Sequence, residues 1–115
     1  LDASKISHDD KVIAAYKNDP LVHDLVSARW FTEFLTAMET AKKEAQNIKM
    51  PVLMQIAGDD HLVNAEESKS FFDRLAVKDK TLHVYDDLYH EVYNERENDR
   101  KIVIDDLEAW INSHI

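Results

Sequence analysis

Two short segments hold residues that could move a proton: AGDDHLVN, with Asp59, Asp60 and His61, and LYHEVYNE, with His90, Glu91 and Glu95. A carboxylate that accepts one ring N–H of a histidine fixes its tautomer and leaves the other nitrogen free to act as a base, so an Asp–His pair from these segments suits general acid–base chemistry. Asp59 competes with Asp60 for the acid position, and His61 with His90 for the base. The same side chains are oxygen and nitrogen ligands for a metal ion. That reading is weaker, because HEVYNE places Asn94 four positions after His90, where the HExxH pattern needs a second histidine. The plainest competitor is a set of solvated loop residues with no chemistry. His83 falls inside a strand-like run, as an outward-facing or satisfied polar residue, and His8, His23 and His114 have no comparable setting.

The elements that must position these residues are legible from periodicity. Val12, Ile13 and Tyr16 recur at helical spacing behind two aspartates, and Asp19-Pro20 stops the helix, which spans about 9–18. From Ser27, a natural cap, Trp30, Phe31, Phe34, Leu35 and Met38 repeat every three or four residues, predicting a helix over about 27–47. VLMQIA (52–57) is an apolar run without alternation, as expected of a strand covered on both faces of a parallel sheet. Asn64 with Glu67 three positions on opens a helix over about 65–76. A second strand covers 81–85, and Ile102, Val103, Leu107, Trp110 and Ile111 mark a closing helix over about 98–113.

The order α-α-β-α-β-α predicts an α/β fold with parallel strands. In such sheets reactive groups gather beyond the carboxyl ends of the strands, where Asp60 and His90 both fall. Neighbouring strands lie about 4.8 Å apart, or about twice that with one strand between, so the two loops can meet. Two strands leave backbone donors and acceptors unpaired, so the sheet is expected to be completed by residues absent from this chain, as in the carboxyl-terminal part of a larger protein. A self-sufficient fold, or a homodimer that joins its sheets, is the alternative.

Composition narrows the function classes. The 115 residues are 44% apolar and 32% charged, suited to one globular domain or a piece of one. Fourteen Lys and Arg against 23 Asp and Glu give a net charge of −9, which repels nucleic acid phosphates and anionic membranes. Without cysteine there are no disulfides, thiolate nucleophiles or cysteine-held zinc sites. No apolar run approaches the ~20 residues of a bilayer-spanning helix. The chain reads as soluble, with a cytoplasmic location as the expectation.

Taken together in this order, NDPLVHDLVSARWFTEFL, PVLMQIAGDDHLVN, DKTLHVYDDLYHEVYNE and DLEAWI resemble the carboxyl-terminal half of the monoacylglycerol lipase and lysophospholipase family of α/β-hydrolases. That resemblance implies a Ser, Asp and His triad in that chain order. Asp60 matches the aspartate, His90 in LYHE the histidine, and Leu62 a residue beside the acyl pocket. Residues 1–25 correspond to the end of the cap and its return, and 26–115 to the carboxyl-terminal part of the core.

The resemblance departs at one point. The family's nucleophile sits in a G-x-S-x-G elbow, which a chain whose sole glycine is Gly58 cannot contain. The expected function is thus the Asp- and His-bearing part of a serine ester hydrolase, incompetent alone. Its substrate is expected to be a single-acyl lipid ester and its partner the amino-terminal half of the same fold. Peripheral contact with a membrane or micelle would run through the cap, and no metal or organic cofactor is required. The alternatives are a noncatalytic interaction domain of hydrolase shape, and a peptidase or thioesterase on the same fold.

Overall fold

The structure is a computed structural model and describes residues 2–115. Helices α1 (Asp10–Asn18) and α2 (Ala28–Glu44) precede strand β1 (Val52–Ala57). Helix α3 (Ala65–Arg74), strand β2 (Lys80–Tyr85) and helix α4 (Glu97–Asn112) follow. Short 3-10 turns lie at Ala3–Lys5, Ala45–Asn47 and Val92–Asn94. The helices begin where side chains satisfy their free N–H groups. The Asp9 carboxylate accepts from Lys11 N at 2.8 Å, Ser27 Oγ from Trp30 N at 3.0 Å, and Asn64 Oδ1 from Glu66 N at 2.9 Å. Asp9 is therefore the cap of α1, and the predicted helix over 27–47 tightens after Glu44 into a 3-10 turn.

Strands β1 and β2 pair in parallel, with Val52 opposite Lys80 and Ala57 opposite Tyr85. They start and stop together, so the chain leaves both at the same level. These two strands form the whole sheet among the described residues, and each has an outer edge with no strand partner. This open α/β arrangement is the incomplete sheet that the sequence predicts.

Helices α3 and α4 both pack against β1. Ala57, Leu88, Val92 and Val103 form a small buried cluster with Tyr85 against it, joining β1, the loop after β2, and α4. A hydrogen-bonded network seals the same face. Gln55 Nε2 donates to Tyr85 Oη at 2.6 Å and to the Val103 carbonyl at 2.8 Å, Tyr93 Oη donates to Gln55 Oε1, and Tyr85 Oη donates to Asp106 at 2.9 Å.

The α2 stripe departs from its expected burial. Trp30, Phe31, Phe34, Leu35 and Met38 repeat as an apolar face, yet all are exposed. Among the described residues none buries this face, although its spacing is that of a core-facing helix. Among the described residues, no helix is long and apolar enough to cross a membrane.

Candidate functional site

The loop after β1 is built around Gly58. A Cβ placed there would fall 2.5 Å from Cα and 2.9 Å from the carbonyl oxygen of Asp86, in the loop after β2. Only a residue without a side chain lets the two backbones approach this closely. Two hydrogen bonds close the contact: Gly58 N donates to the Tyr85 carbonyl at 2.8 Å and Asp59 N to the Leu88 carbonyl at 3.2 Å. The strand-end loops leave the sheet laced together.

Asp60 and His90 meet across that junction. Asp60 Oδ2 lies 2.8 Å from His90 Nδ1, and Asp60 Oδ1 accepts from the N–H groups of Leu62 at 2.8 Å and Val63 at 2.9 Å. Burial by itself would push the Asp60 carboxyl up. The His90 hydrogen bond and the Val63 and Leu62 N–H groups outweigh it and hold the carboxyl below its ordinary value of 3.8. An ionised carboxylate has no proton to give, so His90 Nδ1 carries the hydrogen of this contact, and in the neutral ring that tautomer leaves the lone pair on Nε2. The Asp60 side chain is 9% exposed and that of His90 38% exposed, so the acid is enclosed and the imidazole is accessible.

The competing residues separate. Asp59 turns to His61, at 3.3 Å, and both are exposed. A recess of about 160 Å³ takes in Asp60, His90, Val63 and Ser68, so both members of the pair reach one space. A larger recess of about 480 Å³ follows the loop from Gly58 to Glu66 and includes Leu62 and Asp60. Leu62 lies in this larger space, and His90 does not. Among the described residues no three His, Asp or Glu side chains cluster closely enough to hold a metal ion. His83 is half-buried and lies 3.6 Å from Asp106. His114 stacks on Trp110 and pairs with Asp79 at 3.1 Å.

Sequence reasoning missed His8 and misjudged Glu95. Glu95 is fully buried. Its carboxylate accepts from His8 N at 2.9 Å and Tyr89 N at 2.8 Å, and lies 3.0 Å from His8 Nδ1. Burial alone would raise this carboxyl; the His8 and Tyr89 N–H groups and the His8 ring outweigh it and hold the group below its ordinary 4.5. The ring of His8 stacks on Tyr89 at 3.7 Å. The one available signal was Glu95 at the fifth position after His90; its partner stands 87 residues away.

The model of the serine aminopeptidase S33 family matches residues 1–97. The whole chain is 38% identical to a monoacylglycerol lipase of Mycolicibacterium smegmatis, of which it covers 41%. It is 34% identical over 86% of its length to phospholipase YtpA of Bacillus subtilis, covering 39% of that protein. It thus spans about two fifths of the length of these curated relatives. The crystal structure of Paleococcus ferrophilus monoacylglycerol lipase superposes with a TM-score of 0.88 at 33% identity, over 97% of this chain and 44% of that one. A soluble variant of monoglyceride lipase from Saccharomyces cerevisiae shares the fold at a TM-score of 0.88 and 23% identity, over 100% of this chain and 42% of that one.

Proposed function

This chain belongs to the serine aminopeptidase S33 family, and from that membership we propose that it is the Asp- and His-bearing part of a serine ester hydrolase acting on single-acyl lipid esters. The observation that carries the reading is the 2.8 Å contact between His90 Nδ1 and Asp60 Oδ2 beyond two parallel strands that end at the same level. The similarity to a monoacylglycerol lipase and a phospholipase supports the acyl-ester substrate class.

In the complete enzyme, His90 Nε2 takes the proton of a serine as its oxygen attacks the ester carbonyl, and returns it to the leaving alcohol. Asp60 keeps the imidazole in the required tautomer and stabilises the imidazolium. The serine and the donors for the carbonyl oxygen come from the amino-terminal half of the fold, and the 115 residues alone are inactive. Residues 1–25 form the end of the cap and its return. Leu62 borders the acyl chain, and the exposed apolar stretch from Leu21 to Met38 faces lipid or the missing half.

The test is ester turnover by the full-length protein. Replacing His90 by Ala should abolish hydrolysis of a short-chain monoacylglycerol while leaving the melting temperature close to that of the unmodified protein; turnover near the original rate would sink the assignment. The family's description as an aminopeptidase makes an amide substrate the specific competitor. A panel of monoacylglycerols, lysophospholipids and aminoacyl amides separates the two.

A further inference from the structure

Building on the hydrolase reading, we propose that Glu95 is a positioning residue for His90, working together with the amino-terminal segment around Ile6 to His8. The imidazole is 38% exposed, so packing does little to hold it, and its aim depends on Asp60 and on its own backbone. Both neighbouring peptide units are tied down. Tyr89 N donates to Glu95 Oε1 at 2.8 Å, and Glu91 N donates to the Ile6 carbonyl at 2.8 Å.

The group that ties them is itself anchored. Ile6 is 1% exposed, and Ser7 and Glu95 are 0% exposed, placing these three among the most enclosed side chains in the chain. Ser7 Oγ donates to the Asn94 carbonyl at 2.8 Å, and His8 N donates to Glu95 Oε2 at 2.9 Å. A buried carboxylate is costly unless charge-assisted hydrogen bonds surround it, and Glu95 has three such contacts. Tyr89 carries the lacing across to the acid loop, because its ring stacks on His8 at 3.7 Å and meets the His61 edge at 5.0 Å. The amino-terminal segment therefore fixes the histidine loop from behind, while Asp60 fixes the ring from the front.

The test uses the full-length protein with Glu95→Gln, Glu95→Ala and His8→Ala. Gln offers one acceptor oxygen where Glu offers two, so either Tyr89 N or His8 N loses its partner. In Glu95→Gln, kcat should fall roughly 10- to 100-fold, the scale of a misplaced reacting group, with KM within about twofold. Labelling of the serine by a fluorophosphonate should slow in parallel, and amide exchange of the peptide spanning 88–93 should quicken. Glu95→Ala should lose more, and His8→Ala, which keeps its backbone N–H, less. If the Ala variant at 95 fails to fold, the other two still decide. An unchanged kcat in Glu95→Gln overturns the proposal, as does a loss of kcat with no change in exchange at 88–93. An unmodified protein that neither turns over ester nor labels with the probe overturns the hydrolase reading instead; exchange at 88–93 then still shows whether Glu95 holds the loop.

Discussion

Gly58 and Asp86 approach so closely that a Cβ on the glycine would fall 2.5 Å from the Asp86 Cα. The obstacle is backbone, so it cannot swing aside as a long side chain would. Gly58→Ala should therefore cost about 1–3 kcal/mol by forcing the two loops apart. The same displacement separates Asp60 from His90, and turnover by the full-length protein should drop about 10- to 100-fold. Thermal melting and ester kinetics on one preparation check both halves.

Asp60→Asn tests the tautomer. The amide can still accept from Leu62 N and Val63 N through its oxygen, but it turns an NH₂ group toward His90 Nδ1. The ring then prefers its hydrogen on Nε2, where a base needs a lone pair. We expect kcat to fall by about 10⁴, with a lower melting temperature at neutral pH because the stabilising carboxylate is gone. A fall of less than tenfold would count against Asp60 as the acid.

The pH dependence has a definite sign. Asp60 and Glu95 both have folded values held below the ordinary 3.8 and 4.5, so each contributes stability above those values. That contribution disappears as pH falls through the lowered folded values. Tyr85, pushed by burial and by Asp106 to about 12 from 10.0, acts on the alkaline side. Its contribution is present below pH 10.0 and is lost as pH rises toward about 12. Melting temperatures across the acid range should show a flatter decline in Asp60→Asn and Glu95→Gln than in the unmodified protein.

The Asn64 cap closes the acid loop and starts α3. Asn64→Ala removes the acceptor for Glu66 N and Glu67 N and should lower stability by about 1 kcal/mol with kcat within twofold, since the side-chain oxygen serves the helix start and hydrogen-bonds to neither Asp60 nor His90. Denaturant unfolding beside ester kinetics would reveal any larger effect on rate.

The exposed stripe Trp30, Phe31, Phe34, Leu35 and Met38 makes a prediction about the chain alone. Expressed without an amino-terminal half, it should bind an apolar dye strongly and self-associate. Co-expression with that half should abolish both, read by dye fluorescence and gel filtration; dye binding that persists in the assembled protein would assign the stripe to lipid instead.

The sequence by itself determined the elements and their order, because helix periodicity, the caps Asp9, Ser27 and Asn64, and the apolar run 52–57 are local properties of a chain. It also placed Asp60 and His90 after successive strands and led to the expectation of an incomplete sheet, while the direct pairing of those strands came only from the fold. Spacing alone left Asp59 competing with Asp60, and the family resemblance pointed to Asp60; the folded loop sends Asp60 toward His90 and Asp59 toward His61. Burial of Glu95 and its pairing with His8 span 87 residues, a separation that no local pattern encodes. Gly58 was legible as the end of a strand; that it is glycine because the Asp86 backbone occupies its side-chain space is decided by tertiary contact alone. The exposed face of α2 belongs with these, since a helix writes its apolar stripe into the sequence whether or not the surface that covers it is part of the same chain.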